Sequence, residues 1–139
     1  MAHGADLLAV LARHSGQPPQ PRAQLATARL LAPTEHLFDA QEDDRLAYAL
    51  AQILSHPDLR EADSVRWLSP VAEAFRTGEP GAVPAWASNT MRTLRMLHVL
   101  AHRGLSRRNT DEPPCSLTHR EAVLEELART LAIVAPYTA

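Results

Sequence analysis

Four residues in the last third of the sequence are of types that bind transition metals. His98 and His102 are four positions apart, and Cys115 and His119 repeat that spacing after an interval of twelve residues. Side chains at positions i and i+4 lie on one face of a helix, and imidazole and thiolate groups are ligands of structural zinc sites. If the last two helices form an antiparallel hairpin, the two pairs converge. These four residues are therefore a candidate zinc site, and no other cofactor is expected.

The sequence offers no matching catalytic pattern. In metalloproteases a Glu directly follows the first histidine of such a pair, and here that position is Val99. No serine lies in a nucleophile-elbow context, and the five glycines are scattered rather than gathered in a phosphate-binding loop. We therefore expect a protein without enzymatic activity and assign no catalytic residue.

A second group of titratable residues occupies the segment EHLFDAQEDD, residues 35–44. Glu35, His36 and Asp39 would share one face of a helix, where they could form a metal or acid–base site. The same acids would also be favoured in the first turn of a helix, because negative charge there complements the helix dipole. We favour this second interpretation, in which the segment is the solvated start of a helix.

Charge is distributed unevenly along the chain. Residues 34–63 contain eight acids and two arginines, a local net charge of −6, whereas residues 90–108 contain five arginines and no acid. Such a basic stretch is typical of a surface that binds phosphate or carboxylate groups. It could alternatively be neutralised within the chain or by the acidic segment of a second copy.

The basic stretch has a clear helical period. Placed at 100° intervals, Thr90, Leu94, Leu97, Ala101 and Leu105 share one face, and most of the arginines lie opposite with Met96 and Val99. Arginine and methionine are enriched at the centres of protein interfaces. We therefore predict a partner-binding surface composed of Arg92, Arg95, Met96, Val99, Arg103, Arg107 and Arg108.

The partner of this surface is most simply another protein or a second copy of the chain, with the protein acting as an adaptor or a small subunit. The alternative is the backbone of a nucleic acid, contacted through the arginine-rich stretch 92–108. No aromatic side chains are interleaved there to stack on bases, so such binding would have little sequence specificity. Metal binding by His98, His102, Cys115 and His119 is the third hypothesis.

The composition predicts an all-α fold. The apolar residues are mainly Ala and Leu, isoleucine occurs only twice, and aromatic residues are few. Unbranched apolar residues favour helices, whereas strands are rich in β-branched and aromatic residues. The 139 residues suffice for a single domain spanning 1–139. We predict a bundle of five main helices plus one or two short ones.

Prolines and glycines divide the chain into helical segments. Asp39 with Glu42 and Thr118 with Glu121 have the spacing of capping boxes, which predicts that these pairs open helices. Residues 117–128, LTHREAVLEELA, also resemble the first helix of a LuxR-type helix-turn-helix domain, and we interpret this as a shared capping box without shared functional residues. The predicted segments are Asp6–His14, Pro21 to the residue before Pro33, Asp39–Ser55, a short turn after Pro57, Trp67–Arg76, Ala85–Arg103 and Thr118–Ala135. Pro70 could begin a new helix or kink a longer one, and we favour a new helix.

The environment of the protein is predicted from its cysteine content and its hydropathy. The only cysteine excludes an internal disulfide framework and suits a reducing compartment. No segment approaches the run of about 20 apolar residues that a membrane span requires, and the first residues do not match a signal peptide. We therefore expect a cytoplasmic protein that does not contact a membrane.

Overall fold

In the described part of the chain, five helices of nine or more residues and one of six form the fold. The computed structural model describes residues 19–106 and 110–136. Across these ranges no strand is present, which confirms the predicted all-α class, and no helix is both long and apolar enough to cross a membrane. The predicted helix Asp6–His14 lies outside the described residues. The helices are α1 (Pro19–Leu31), α2 (Glu42–Leu54), α3 (Glu61–Arg66), α4 (Leu68–Arg76), α5 (Ala85–Arg103) and α6 (Arg120–Val134).

The helices surround a single core of the described residues, and α5 lies at its centre. This longest helix packs most extensively on α2 and next on α6, while α1 contacts α2, α4 and α5. Helix α6 also covers α3 and α4. The largest fully buried aliphatic side chains come from four of these helices: Leu46, Leu50, Ile53 and Leu54 of α2, Leu68 and Val71 of α4, Leu94 and Leu97 of α5, and Val123 and Leu127 of α6.

The predicted inner face of α5 is confirmed. Thr90, Leu94, Leu97 and Ala101 are fully buried, and Leu105 just beyond the helix is nearly so. The hydroxyl group of Thr90 donates a hydrogen bond to the Leu30 carbonyl oxygen at 2.8 Å, so the one polar member of this face has a partner. Burial of this face directs the remaining side chains of α5 toward its neighbours or toward solvent.

Helices α5 and α6 form the expected hairpin. Gly104 ends α5 with φ 79° and ψ 171°, a backbone conformation that is essentially restricted to glycine. Leu105 and Cys115 then exchange two backbone hydrogen bonds of 2.8 Å, which closes the connecting segment. The Arg120 Nε at the start of α6 donates to the Ala101 carbonyl oxygen near the end of α5 at 3.0 Å.

Both predicted capping boxes are wrong. Helix α2 begins at Glu42 after Gln41, whose φ of 61° and ψ of 28° are left-handed, and Asp39 does not cap it. Helix α6 begins at Arg120, and Thr118 instead contacts the end of α2: its hydroxyl donates to the His56 carbonyl oxygen at 2.8 Å and its amide to that of Leu54 at 3.0 Å. A contact distant in sequence has therefore replaced the local one.

Replacement of Gly104 by alanine is expected to lower the free energy of unfolding by about 1–3 kcal/mol, because a side chain is strained at this backbone conformation. A Cβ atom there would also lie 3.0 Å from Pro114 Cβ and 3.1 Å from the Cys115 carbonyl oxygen. Urea unfolding followed by circular dichroism measures the loss. Gly78→Ala is the matched control, since a Cβ atom there meets nothing closer than 3.5 Å. Equal losses for the two variants would contradict this explanation.

Candidate binding surface and polar cluster

The side of α5 opposite its buried face carries cations around one exposed apolar side chain. Arg95, Val99, His102 and Arg103 are all exposed, and Val99 retains 42% of its accessible surface. At 100° per residue, these four positions fall within about 100° of the helix circumference. We call them the α5 outer face.

Two arginines of the α5 outer face differ from most other arginines of the chain. Among the arginines whose side chains are described, those that pair with carboxylates are Arg60, Arg66, Arg76, Arg92, Arg120 and Arg129. Arg29 lies over the ring of Phe38, 5.4 Å from its centroid. Within the described ranges, the side chains of Arg45, Arg95 and Arg103 form neither a hydrogen bond nor an ion pair. Arg95 and Arg103 therefore present guanidinium groups available to another molecule.

Arg92 does not belong to this surface, although the sequence placed it there. Its Nε lies 3.2 Å from Asp43 Oδ2, and its Nη2 donates to the Phe38 carbonyl oxygen at 2.8 Å and to Asn89 Oδ1 at 3.2 Å. Part of the basic stretch is thus neutralised by the acidic segment of the same chain, which was one of the alternatives raised by the sequence. Asp43, the acid that pairs with Arg92, lies in the first turn of α2.

Met96 also differs from the sequence prediction, which made it an exposed apolar anchor. Its side chain is half-buried and packs against the hydrophobic core, whereas Val99 is exposed as predicted. Arg107 and Arg108 lie outside the described residues. Of the seven residues predicted to bind a partner, the structure therefore presents Arg95, Val99 and Arg103 together on one exposed face.

The four residues of the predicted zinc site are not brought together. The rings of His98 and His102 have centroids 4.7 Å apart, as their spacing indicated. His119, however, is directed at the turn before α3, with its Nε2 2.6 Å from the Leu59 carbonyl oxygen. Cys115 is exposed, and its backbone is fixed by pairing with Leu105. The structure therefore does not bring the four residues together, because the two pairs have different structural neighbours.

Burial lowers the pKa of His98, and the neighbouring charge of His102 lowers it further. Among the described residues, neither histidine forms a hydrogen bond or an ion pair with a carboxylate. The arginines of the α5 outer face supply positive charge that does not depend on pH, because a guanidinium group stays protonated in proteins.

The structure instead assembles a different group of possible ligands, at the start of α2. His36, Asp39 and Glu42 each offer a ligand atom within 4.8 Å of the other two, and in the described ranges no other set of three does so. The His36 Nε2 lies 3.5 Å from Glu42 Oε1 and 3.9 Å from Asp39 Oδ1. We call these three residues the His36 cluster. The sequence drew attention to this segment but grouped Glu35, rather than Glu42, with His36 and Asp39.

The backbone that carries the His36 cluster is held by Asn89, a buried residue of α5. Its Nδ2 donates to the His36 carbonyl oxygen at 2.9 Å, and its Oδ1 accepts the Phe38 amide at 2.9 Å. Arg92 adds its hydrogen bond to the Phe38 carbonyl oxygen. These contacts fix a segment that forms no helix or strand of its own. Sequence reasoning missed Asn89, because a single Asn within a helix carries no signal of a partner 53 residues away.

Glu42 is the buried member of the cluster, with 4% of its surface accessible. The Ala40 amide donates to its Oε2 at 2.8 Å. Backbone hydrogen bonds from Ala40 and from its own amide lower the pKa of Glu42, and His36 lowers it further, whereas burial opposes this shift. The result is a buried carboxylate that stays ionised at neutral pH.

A comparison with known families places the chain in one of them. Residues 1–99 match the model of the family described as Protein of unknown function (DUF2785), and the chain belongs to this family. The match includes the His36 cluster, Asn89, Arg92, Arg95 and Val99, and it stops before Arg103 and α6. No curated protein and no solved structure matches the chain.

Replacement of Asn89 by alanine is expected to lower the free energy of unfolding by about 2 kcal/mol, because the His36 carbonyl and the Phe38 amide lose their partner together. Chemical denaturation measures the loss, and Ser88→Ala on the same turn of α5 is the control. A loss no larger than that of the control would contradict the holding role of Asn89.

Replacement of Glu42 by glutamine is expected to destabilise the protein at pH 7 but not in acid. A carboxyl group whose folded pKa is depressed stabilises the fold above its unfolded value, here about 4.5, and this contribution is lost as the pH falls through the lower folded pKa. Melting temperatures of both proteins between pH 3 and pH 7 test this. The two curves should converge at low pH, and a constant separation would contradict the assignment.

Proposed function

We propose that this member of the DUF2785 family is a non-enzymatic helical binding protein, an adaptor or a small subunit, that docks an acidic protein surface on the α5 outer face. The observation that carries the proposal is the pair of exposed arginines, Arg95 and Arg103, whose side chains have no partner among the described residues and lie on either side of exposed Val99. Most other arginines described by the structure pair with the chain's own carboxylates.

The chemistry of these residues supports a protein partner. A guanidinium group presents several N–H donors in a plane, which matches the two oxygens of a carboxylate. An apolar side chain between two such groups supplies contact area that a partner can remove from water. The resulting surface combines an apolar centre with cationic edges, which is the arrangement expected of an interface.

A nucleic acid is a poorer match for the same face. Proteins that bind single strands without sequence preference stack bases on aromatic side chains, and the α5 outer face has none. The aromatic residue of α5 is Trp86, which lies at the start of the helix and packs edge-to-face on Phe75. Since Arg92 is held by Asp43, only two described arginines of α5 remain for phosphate contacts.

A second copy of the chain is one possible acidic protein. Glu35, Asp44 and Asp58 belong to the acidic segment 34–63 and are exposed. Complementary charge between this segment and the α5 outer face would steer association and set its orientation. Such contacts pair two different surfaces, which is compatible with a head-to-tail assembly and with a two-fold dimer in which each copy's outer face meets the other's acidic segment.

The test is the double variant Arg95→Ala/Arg103→Ala, together with Val99→Asp. A tagged chain is used to isolate partners from the native host after nuclease treatment, and the affinity of the recovered partner is then measured for each variant. We expect both variants to weaken binding at least about tenfold, or 1.4 kcal/mol, because the changes remove central contacts. Binding should also weaken with added salt, since the contacts are between exposed charges.

Arg76→Ala is the matched control, because Arg76 is an exposed arginine on α4 that already pairs with Glu73. It should leave the affinity unchanged. If the α5 variants bind as well as the wild type, the proposed surface is wrong. If nuclease treatment removes the partner, a nucleic acid replaces the protein, and sedimentation analysis distinguishes a second copy from a different chain.

A further inference from the structure

We propose that the His36 cluster is a binding site for a divalent transition metal of the zinc type, with His36 Nε2, Asp39 Oδ1 and Glu42 Oε1 as its ligands. The site is separate from the α5 outer face, and the proposal does not depend on the proposed function. It also differs from the zinc site predicted from the sequence, with which it shares no residue.

The spacing of the ligand atoms fits such an ion. Zinc binds nitrogen and oxygen ligands at about 2.0–2.2 Å, so two tetrahedral ligands are separated by about 3.4 Å. The distance from His36 Nε2 to Glu42 Oε1 is 3.5 Å, and that to Asp39 Oδ1 is 3.9 Å. The Asp39 side chain is 79% exposed, so it is free to rotate the remaining few tenths of an ångström.

The buried carboxylate of Glu42 is a second observation that fits a cation. Glu42 retains 4% of its accessible surface; its Oε2 accepts the Ala40 amide at 2.8 Å, and its Oε1 lies 3.5 Å from His36 Nε2. A buried carboxylate is costly unless positive charge or hydrogen-bond donors compensate it. A metal bound between His36 Nε2 and Glu42 Oε1 would add such a charge directly to this contact.

The surrounding residues are arranged so that the ligands are held in place. Asn89 binds the backbone on either side of Leu37, and this fixes His36 next to the start of α2. Arg92, which donates to the Phe38 carbonyl oxygen within this segment, is already paired with Asp43. Metal sites depend on such outer contacts, because they orient the ligands before the ion arrives.

The identity of the ligands determines the class of ion. One imidazole favours zinc, cobalt or nickel over calcium and magnesium, which prefer oxygen ligands alone. Two carboxylates balance the double positive charge. Three protein ligands leave a coordination position for water or for a group of another molecule, as in metal sites that are not purely structural.

Calorimetric titration of the tag-free protein with Zn²⁺ tests the proposal, with Co²⁺ as a spectroscopic probe of the coordination. We expect one ion per chain, a rise in melting temperature with added metal, and an absorption spectrum typical of low-symmetry Co²⁺. His36→Ala and Asp39→Asn should each weaken the affinity at least about tenfold. Both side chains are at least half exposed, so these variants are expected to fold.

Two controls make the result specific. Glu35→Gln changes an exposed carboxylate beside His36 that is not a member of the cluster, and it should leave the affinity unchanged. The double variant His98→Ala/His102→Ala removes the other pair of neighbouring histidines and should still bind one ion. The proposal is overturned if the wild type binds no metal, if His36→Ala binds as tightly as the wild type, or if binding is lost only with His98 and His102.

Discussion

Burial of one face of α5 is the constraint that determines where the chemically distinctive side chains of this protein lie. Leu94, Leu97 and Ala101 are fully buried, so the rotation of the helix about its axis is fixed. This rotation turns Asn89 toward the segment before α2 and leaves Arg95 and Val99 exposed. Arg92 lies on the same side of α5 as Val99, but it is about 10 Å nearer the start of the helix, where it reaches that segment. Both candidate sites therefore follow from the same packing.

The charge distribution is explained by the same arrangement. The sequence separates an acidic segment from a basic one, yet α2 and α5 are packed neighbours and Asp43 pairs with Arg92. Several other arginines pair with an acid three or four positions away on the same helix, a contact of little energetic value at the surface. Arg95 and Arg103 have no acid at such positions, and this is why they remain available.

The parts of the fold that depend on periodicity were predictable from the sequence. The inner face of α5, its end at Gly104 and the hairpin with α6 all follow from helical spacing and local breakers. The predicted capping box of α6 is absent, because the hydroxyl and amide groups of Thr118 bind carbonyl oxygens at the end of α2 instead. No local pattern can anticipate a competing acceptor more than 60 residues away.

The candidate sites also depend on contacts between residues distant in sequence, which local patterns do not predict. The pairs His98–His102 and Cys115–His119 have suitable spacing, but spacing within each helix does not determine whether two pairs meet. His36 and Glu42 meet because Gln41 adopts a left-handed conformation and Asn89 holds the preceding backbone, and neither feature is visible as a motif.

The family match covers the two candidate sites to different extents. It spans residues 1–99, so it contains the whole His36 cluster with the α5 residues that support it, but only part of the α5 outer face. Arg92 and Val99 are seven residues apart, or about 10 Å along the helix axis. The residues that support the His36 cluster and the α5 outer face therefore lie on one helix, whose rotation is fixed by its buried inner face.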